Sequence, residues 1–119
     1  MSYVDGFVVP VPKKKVQDYL KLARLAAKVW KDHGALGTCE AVADDVPMGK
    51  WTSFPRSVKQ KPNETVIFSW ILYKSRKHRD AVMKKVMKDP RLEMMMDLKK
   101  MPFDGKRMIF GGFKVAVMT

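Results

Sequence analysis

Asp5 sits in a run of alternating apolar residues, YVDGFVVPVP, and shares a strand face with Tyr3, Phe7, Val9 and Val11. A carboxylate on such a face must be paired, solvated in a cavity, or held neutral by a raised pKa. Its candidate partners are backbone N–H groups and Arg107 in the closing segment. The first and last strands are expected at opposite sheet edges, so Arg107 would approach Asp5 across a dimer. The structural role is then an ion pair or a backbone hydrogen bond. The functional alternative is a pocket lined by Asp5, Trp70, Tyr73 and Arg107. A dry pocket with those groups would bind a small organic molecule. It would also suit cofactor-free oxygen chemistry on an electron-rich aromatic substrate.

Other chemistry-bearing residues have plainer readings. His33 and His78 have no His, Cys, Asp or Glu cluster near them in sequence. A helix end suits His33, and a helix surface or boundary suits His78. A metal site would have to assemble at a distance with Asp5 or Glu40, and no metal or cofactor is expected. Asp44-Asp45 reads as a turn. Cys39, the single cysteine, reads as a small core residue and excludes an internal disulfide. No Ser-His-Asp arrangement has local support. Gly111-Gly112 fits no nucleotide fingerprint, and a bulge at a dimer seam is the expected explanation.

These residues need elements to hold them. Residues 3–11 form the first strand, with Pro10 at a strand end or edge. Residues 14–33 form a helix with Val16, Tyr19, Leu20, Ala23, Ala27 and Trp30 at helical spacing, capped by Gly34. Residues 36–44 give a weaker second strand. Residues 45–63 read as a long loop with a short turn of helix or an extra strand at 51–58. Residues 65–73 form a third strand that is apolar on both faces. Ser75 caps a second helix that Pro90 stops, and residues 92–98 form a short one. The last strand covers residues 107–118. The order β-α-β-β-α-β gives a single domain over residues 1–119. It predicts a ferredoxin-like α+β fold, with a four-stranded antiparallel sheet and both helices on one face.

The 119 residues carry 24 Lys and Arg against 12 acids, a net charge of +12. The basic residues follow helices and loop and do not interleave with the aromatics. Any nucleic-acid binding is therefore expected to be weak, nonspecific and salt-dependent. No stretch is long and apolar enough for a membrane span, no signal segment opens the chain, and the cytoplasm is the expected compartment. Strands apolar on both faces leave a helix-free face to cover, which predicts a homodimer, a ligand cavity, or both.

The opening YVDGFVVPVP, VADDV at 42–46, TSFP at 52–55, FSWI at 68–71, YKSR at 73–76, HRDAV at 78–82, DPR at 89–91, MPFDGKRM at 101–108 and GGF at 111–113 resemble the DUF1428, or YbaA-like, family of bacterial proteins. The likeness spans essentially the whole chain. The extra Lys and Met residues at 82–100 depart from it. The resemblance implies a dimeric α/β barrel, similar to small stress-response and monooxygenase-like proteins. The family is one of unknown function, so no catalytic residue follows from it.

Overall fold

The computed structural model describes residues 2–95 and 101–119. Strand β1 (Tyr3–Pro12) leads through a 3-10 turn (Lys13–Lys15) into helix α1 (Val16–Asp32). Then come β2 (Gly37–Val42), the short α2 (Phe54–Ser57), β3 (Glu64–Tyr73), α3 (Arg76–Val86), α4 (Pro90–Met95) and β4 (Ile109–Lys114). The sheet is four-stranded and antiparallel, in the order β2-β3-β1-β4. The expected short helix at 92–98 lies partly outside the described residues.

Local chemistry sets the ends of the elements. The chain leaves α1 through Gly34 at φ 113°, a conformation that favours glycine. Ser75 Oγ accepts from the His78 N–H at 3.0 Å and starts α3. Pro90 does not directly stop that helix, which ends at Val86; it opens α4 instead. Its missing N–H costs nothing in a first turn. Asp89, just before it, accepts from the Arg91 backbone N–H at 2.9 Å.

The sheet's two faces are covered differently. Tyr3, Val9, Val11, Ile67 and Tyr73 pack under α1, α3 and α4 in two apolar clusters. The other face is not bare. Val8 and Val66 are buried there under Val58, with Ala43 and Val46 alongside. Phe54 meets Phe68 edge-on at 6.0 Å. The segment 45–63 is therefore a strap over half of the helix-free face. Ile109 and Phe113 of β4 stay exposed on the remainder (44% and 61%).

Three strand expectations need correction. The first and last strands are neighbours, with Tyr3 opposite Lys114 and Val8 opposite Ile109. β1 is central because each crossover skips a position, and β4 then docks on its free side. β4 is shorter than residues 107–118, because Arg107 is held in the preceding turn by Asp104 and Glu64. Gly111-Gly112 is no bulge, since the register runs unbroken from Gly6↔Gly111 to Asp5↔Gly112. Gly112 is small because the Tyr3 ring lies over it: a Cβ there would come within 2.7 Å of Tyr3 Cε2.

Pro10 and Pro12 fit into β1 by parity. Even-numbered residues of this strand turn their backbone toward β4, as the Val115 N–H to Ser2 carbonyl bond at 3.0 Å illustrates. Odd-numbered positions face β3, and the Lys13 N–H donates to the Asn63 carbonyl at 2.9 Å. Pairing with β4 ends at Val8. Both prolines therefore fall on a stretch of β1 with no paired strand on that side among the described residues, and no ladder bond is lost.

Candidate functional site

α1 turns Ala23, Ala26 and Ala27 toward the sheet. Three small side chains in a row cannot fill the space between layers. A partly open cavity of about 220 Å³ remains. Phe7 and Val9 of β1, Ser69 and Ile71 of β3, and Leu22 and Trp30 of α1 form its walls, with Phe103 and Met108 at the side. The lining is overwhelmingly apolar, as small-molecule sites generally are. Trp30 brings a complication: its indole N–H is buried and has no hydrogen-bond partner among the described residues.

One polar pair marks the β2 end. The buried Tyr19 hydroxyl donates to Glu40 Oε2 at 2.9 Å. Glu40 belongs to edge strand β2 and keeps part of its side chain exposed. Its carboxylate nevertheless lies against apolar surface. Desolvation pushes its pKa up, and only the Tyr19 hydrogen bond opposes this. Burial and the neighbouring Glu40 charge together raise the Tyr19 phenol.

A second, larger depression of about 500 Å³ adjoins the first and shares Phe7, Trp30, Ile71 and Met108 with it. Asp5 lines it, with Arg79 and Asp80 of α3. Arg79 Nη1 donates to Asp5 Oδ1 at 2.6 Å, and Arg79 Nε donates to Asp80 Oδ1 at 2.8 Å. The guanidinium carbon stands 5.0 Å above the Tyr3 ring, a cation–π contact. Burial raises the Asp5 carboxyl, with Arg79 as the main opposing influence. Tyr73, fully buried, has its phenol raised by desolvation and by the Asp5 charge. Among the described residues its hydroxyl has no well-formed hydrogen bond.

Of the four residues read from sequence, Asp5 and Tyr73 come together. Trp70 alternates onto the opposite sheet face, with its ring near Gly37, yet still contributes to the cavity lining. Arg107 is elsewhere. It grips Glu64 with two hydrogen bonds of 2.7 and 2.6 Å and donates to the Lys59 carbonyl at 3.0 Å. The partner of Asp5 is Arg79. Its signal was its spacing, since Arg79, Val82 and Val86 share one face of α3 and both valines are buried. Glu40 had a similar signal, alternating with Thr38 and Val42 toward the helices, but nothing in sequence joins it to Tyr19.

The histidines have structural partners. His33 Nε2 is 2.8 Å from Asp89 Oδ2, and Arg91 bridges Asp89 and Asp32, which fastens the end of α1 to α4. His78 Nδ1 accepts from the Lys74 backbone N–H at 3.0 Å. Among the described residues, no helix is long and apolar enough to cross a membrane.

Comparison with known proteins agrees with this architecture. The chain is 52% identical over 114 residues to an uncharacterized protein of Escherichia coli (strain K12), YbaA, covering 96% of each. A Shigella flexneri protein of the same name matches equally. Solved structures with a similar fold include an uncharacterized NIPSNAP domain protein from Burkholderia xenovorans. Its TM-score is 0.61 at 14% identity, with 98% of this chain and 97% of that one covered. A nipsnap family protein of unknown function from Agrobacterium tumefaciens has a TM-score of 0.57 at 15% identity, covering 99% and 91%. The model of a protein family of unknown function, DUF1428, matches residues 2–105. The chain belongs to the DUF1428 family.

Proposed function

We propose that this protein binds a small, largely apolar organic molecule in the cavity between α1 and the sheet. The observation that carries this reading is the 220 Å³ of mostly apolar space, with the Tyr19–Glu40 pair, Thr38, Ser69 and the Trp30 indole as the few polar groups on its wall. Protein interiors are ordinarily packed without such gaps. Binding is favoured over catalysis because Asp5, the natural base, is already committed to Arg79. The cofactor-free monooxygenase reading would need it free.

Calorimetric titration of the full chain with 2-phenylethanol tests the cavity. Micromolar to millimolar affinity is expected, together with a loss of at least about tenfold in Ala26→Phe, which fills the space. Undiminished binding by that variant, or none by the wild type at millimolar ligand, refutes the reading.

The assembly we propose is a homodimer of the dimeric α/β barrel type, built from ferredoxin-like units. The strand order β2-β3-β1-β4 and the likeness to NIPSNAP folds support it. So do the exposed Phe68, Ile109 and Phe113 on the helix-free face. The cytoplasm suits the unpaired Cys39 thiol. Light scattering at micromolar concentration should report twice 13.7 kDa. A persistent monomer refutes the assembly and leaves the cavity reading intact.

A further inference from the structure

Resting on that cavity reading, we infer that the ligand is an arylalkylamine, a compact aromatic ring on a short chain ending in an ammonium group directed at Glu40. Size supplies the first argument. A dry apolar cavity of about 150 Å³ accepts benzene. The 220 Å³ here holds one ring and a short side chain. Its aromatic lining, from Phe7, Trp30 and Phe103, suits a flat ring.

Charge supplies the second. The chain as a whole is +12, so an anionic ligand would be the default expectation for any site on it. The cavity is locally the reverse. Among the described residues no Lys or Arg lines it, and Glu40 is the one ionisable group of ordinary acid range. The adjoining depression adds Asp5 and Asp80 against a single Arg79, whose charge those two carboxylates already engage. Arg76 also stands 4.0 Å from Asp80, so the depression is balanced, and an anion entering the cavity itself meets the Glu40 carboxylate with no cation beside it among the described residues.

Glu40 is the specific receptor. Oε2 is taken by the Tyr19 hydroxyl at 2.9 Å, whereas Oε1 accepts no hydrogen bond from the described residues. Although much of Glu40 is exposed, its carboxylate is partly desolvated, and no cation among the described residues offsets this. A carboxylate against apolar surface with a free oxygen and no counter-ion is the complement of an ammonium group. Tyr19 orients it, because a donated hydrogen bond from a buried phenol fixes the rotamer and leaves the second oxygen available.

The test compares three ligands of nearly equal size by calorimetry on the full chain at pH 7: 2-phenylethylamine, 2-phenylethanol and phenylacetate. The amine is expected to bind at least tenfold more tightly than the alcohol, and phenylacetate the most weakly. In Glu40→Gln the amide oxygen can still accept from Tyr19. Amine affinity there is expected to fall to the level of the alcohol, with the alcohol unchanged. Alcohol or acid binding as tight as the amine overturns the inference while leaving the cavity reading standing. An amine preference that survives Glu40→Gln overturns the role of Glu40. Failure of all three to bind removes both readings. The wild-type ranking decides the ligand class even if Glu40→Gln does not fold.

Discussion

Arg79→Met is expected to cost about 3–5 kcal/mol of folding stability at pH 7, the range for removing one partner of a buried ion pair. Asp5 would stay in place, 7% exposed, without its 2.6 Å contact to a guanidinium. The sign of the pH dependence follows from burial. Desolvation already sets the folded pKa of Asp5 above its unfolded value. Its protonated form is therefore the one folding favours, and stability from this group declines as pH rises from the unfolded value through the folded one. Losing Arg79 raises the folded value further. The penalty of the variant should be greatest near neutrality and shrink as pH falls and Asp5 takes up a proton. Urea unfolding at pH 5 and pH 7 measures this. Asp5→Asn combined with Arg79→Met should recover most of the loss, since no charge is then stranded. A penalty that is independent of pH and unrelieved in the double variant would show that Arg79 acts through packing alone.

Arg107→Met is expected to be nearly as costly, about 3 kcal/mol, with a different acid profile. Glu64 is 4% exposed and would retain only the Lys61 backbone N–H at 2.7 Å. The Arg107 hydrogen bonds hold its carboxyl below the ordinary 4.5 in the wild type, with help from Lys61. A depressed folded pKa gives stability that is fully present above the unfolded value and lost as pH falls below it. The wild-type pair should thus hold steady from pH 7 to about 5 and weaken only in stronger acid. Arg107 also closes the turn that delivers β4, through Asp104 and the Lys59 carbonyl. Amide exchange across Ile109–Lys114 should accelerate in the variant, whereas it should change little in Arg79→Met at matched stability. Equal protection of β4 in the two variants would deny Arg107 this anchoring role.

The two arginines illustrate what a sequence of this kind discloses. Alternation in β1 and β3 marked both strands to within a residue or two, and Gly34 and Ser75 marked helix ends by their own local chemistry. Asp5 stood out because its neighbours two residues away are aromatic. Its partner did not, because pairing is decided by which strand and helix lie beside β1, and the last strand was expected at the wrong edge. Arg79 interrupts an apolar stripe on α3 that would otherwise read as core. That interruption is legible, but its meaning depends on an aspartate 74 positions away. A cavity beside the sheet was expected from strands apolar on both faces, but its size and most of its lining were not legible. Its volume is what remains after Ala23, Ala26 and Ala27 meet the sheet, a difference between packed layers that periodicity does not encode.

The placement of Pro10 and Pro12 bears on how the chain behaves in a crowd. The far half of β1 has no paired strand on its β4 side among the described residues, and unpaired margins recruit foreign strands that extend the hydrogen-bond ladder from molecule to molecule. An invading strand needs amide donors at every second position. On this margin the positions that would supply them are the two prolines, which have none. A valine-rich strand that could otherwise seed fibrillar growth is thereby chemically silent along its unpaired side, and the near-complete burial of Pro10 further shields it from an invading strand.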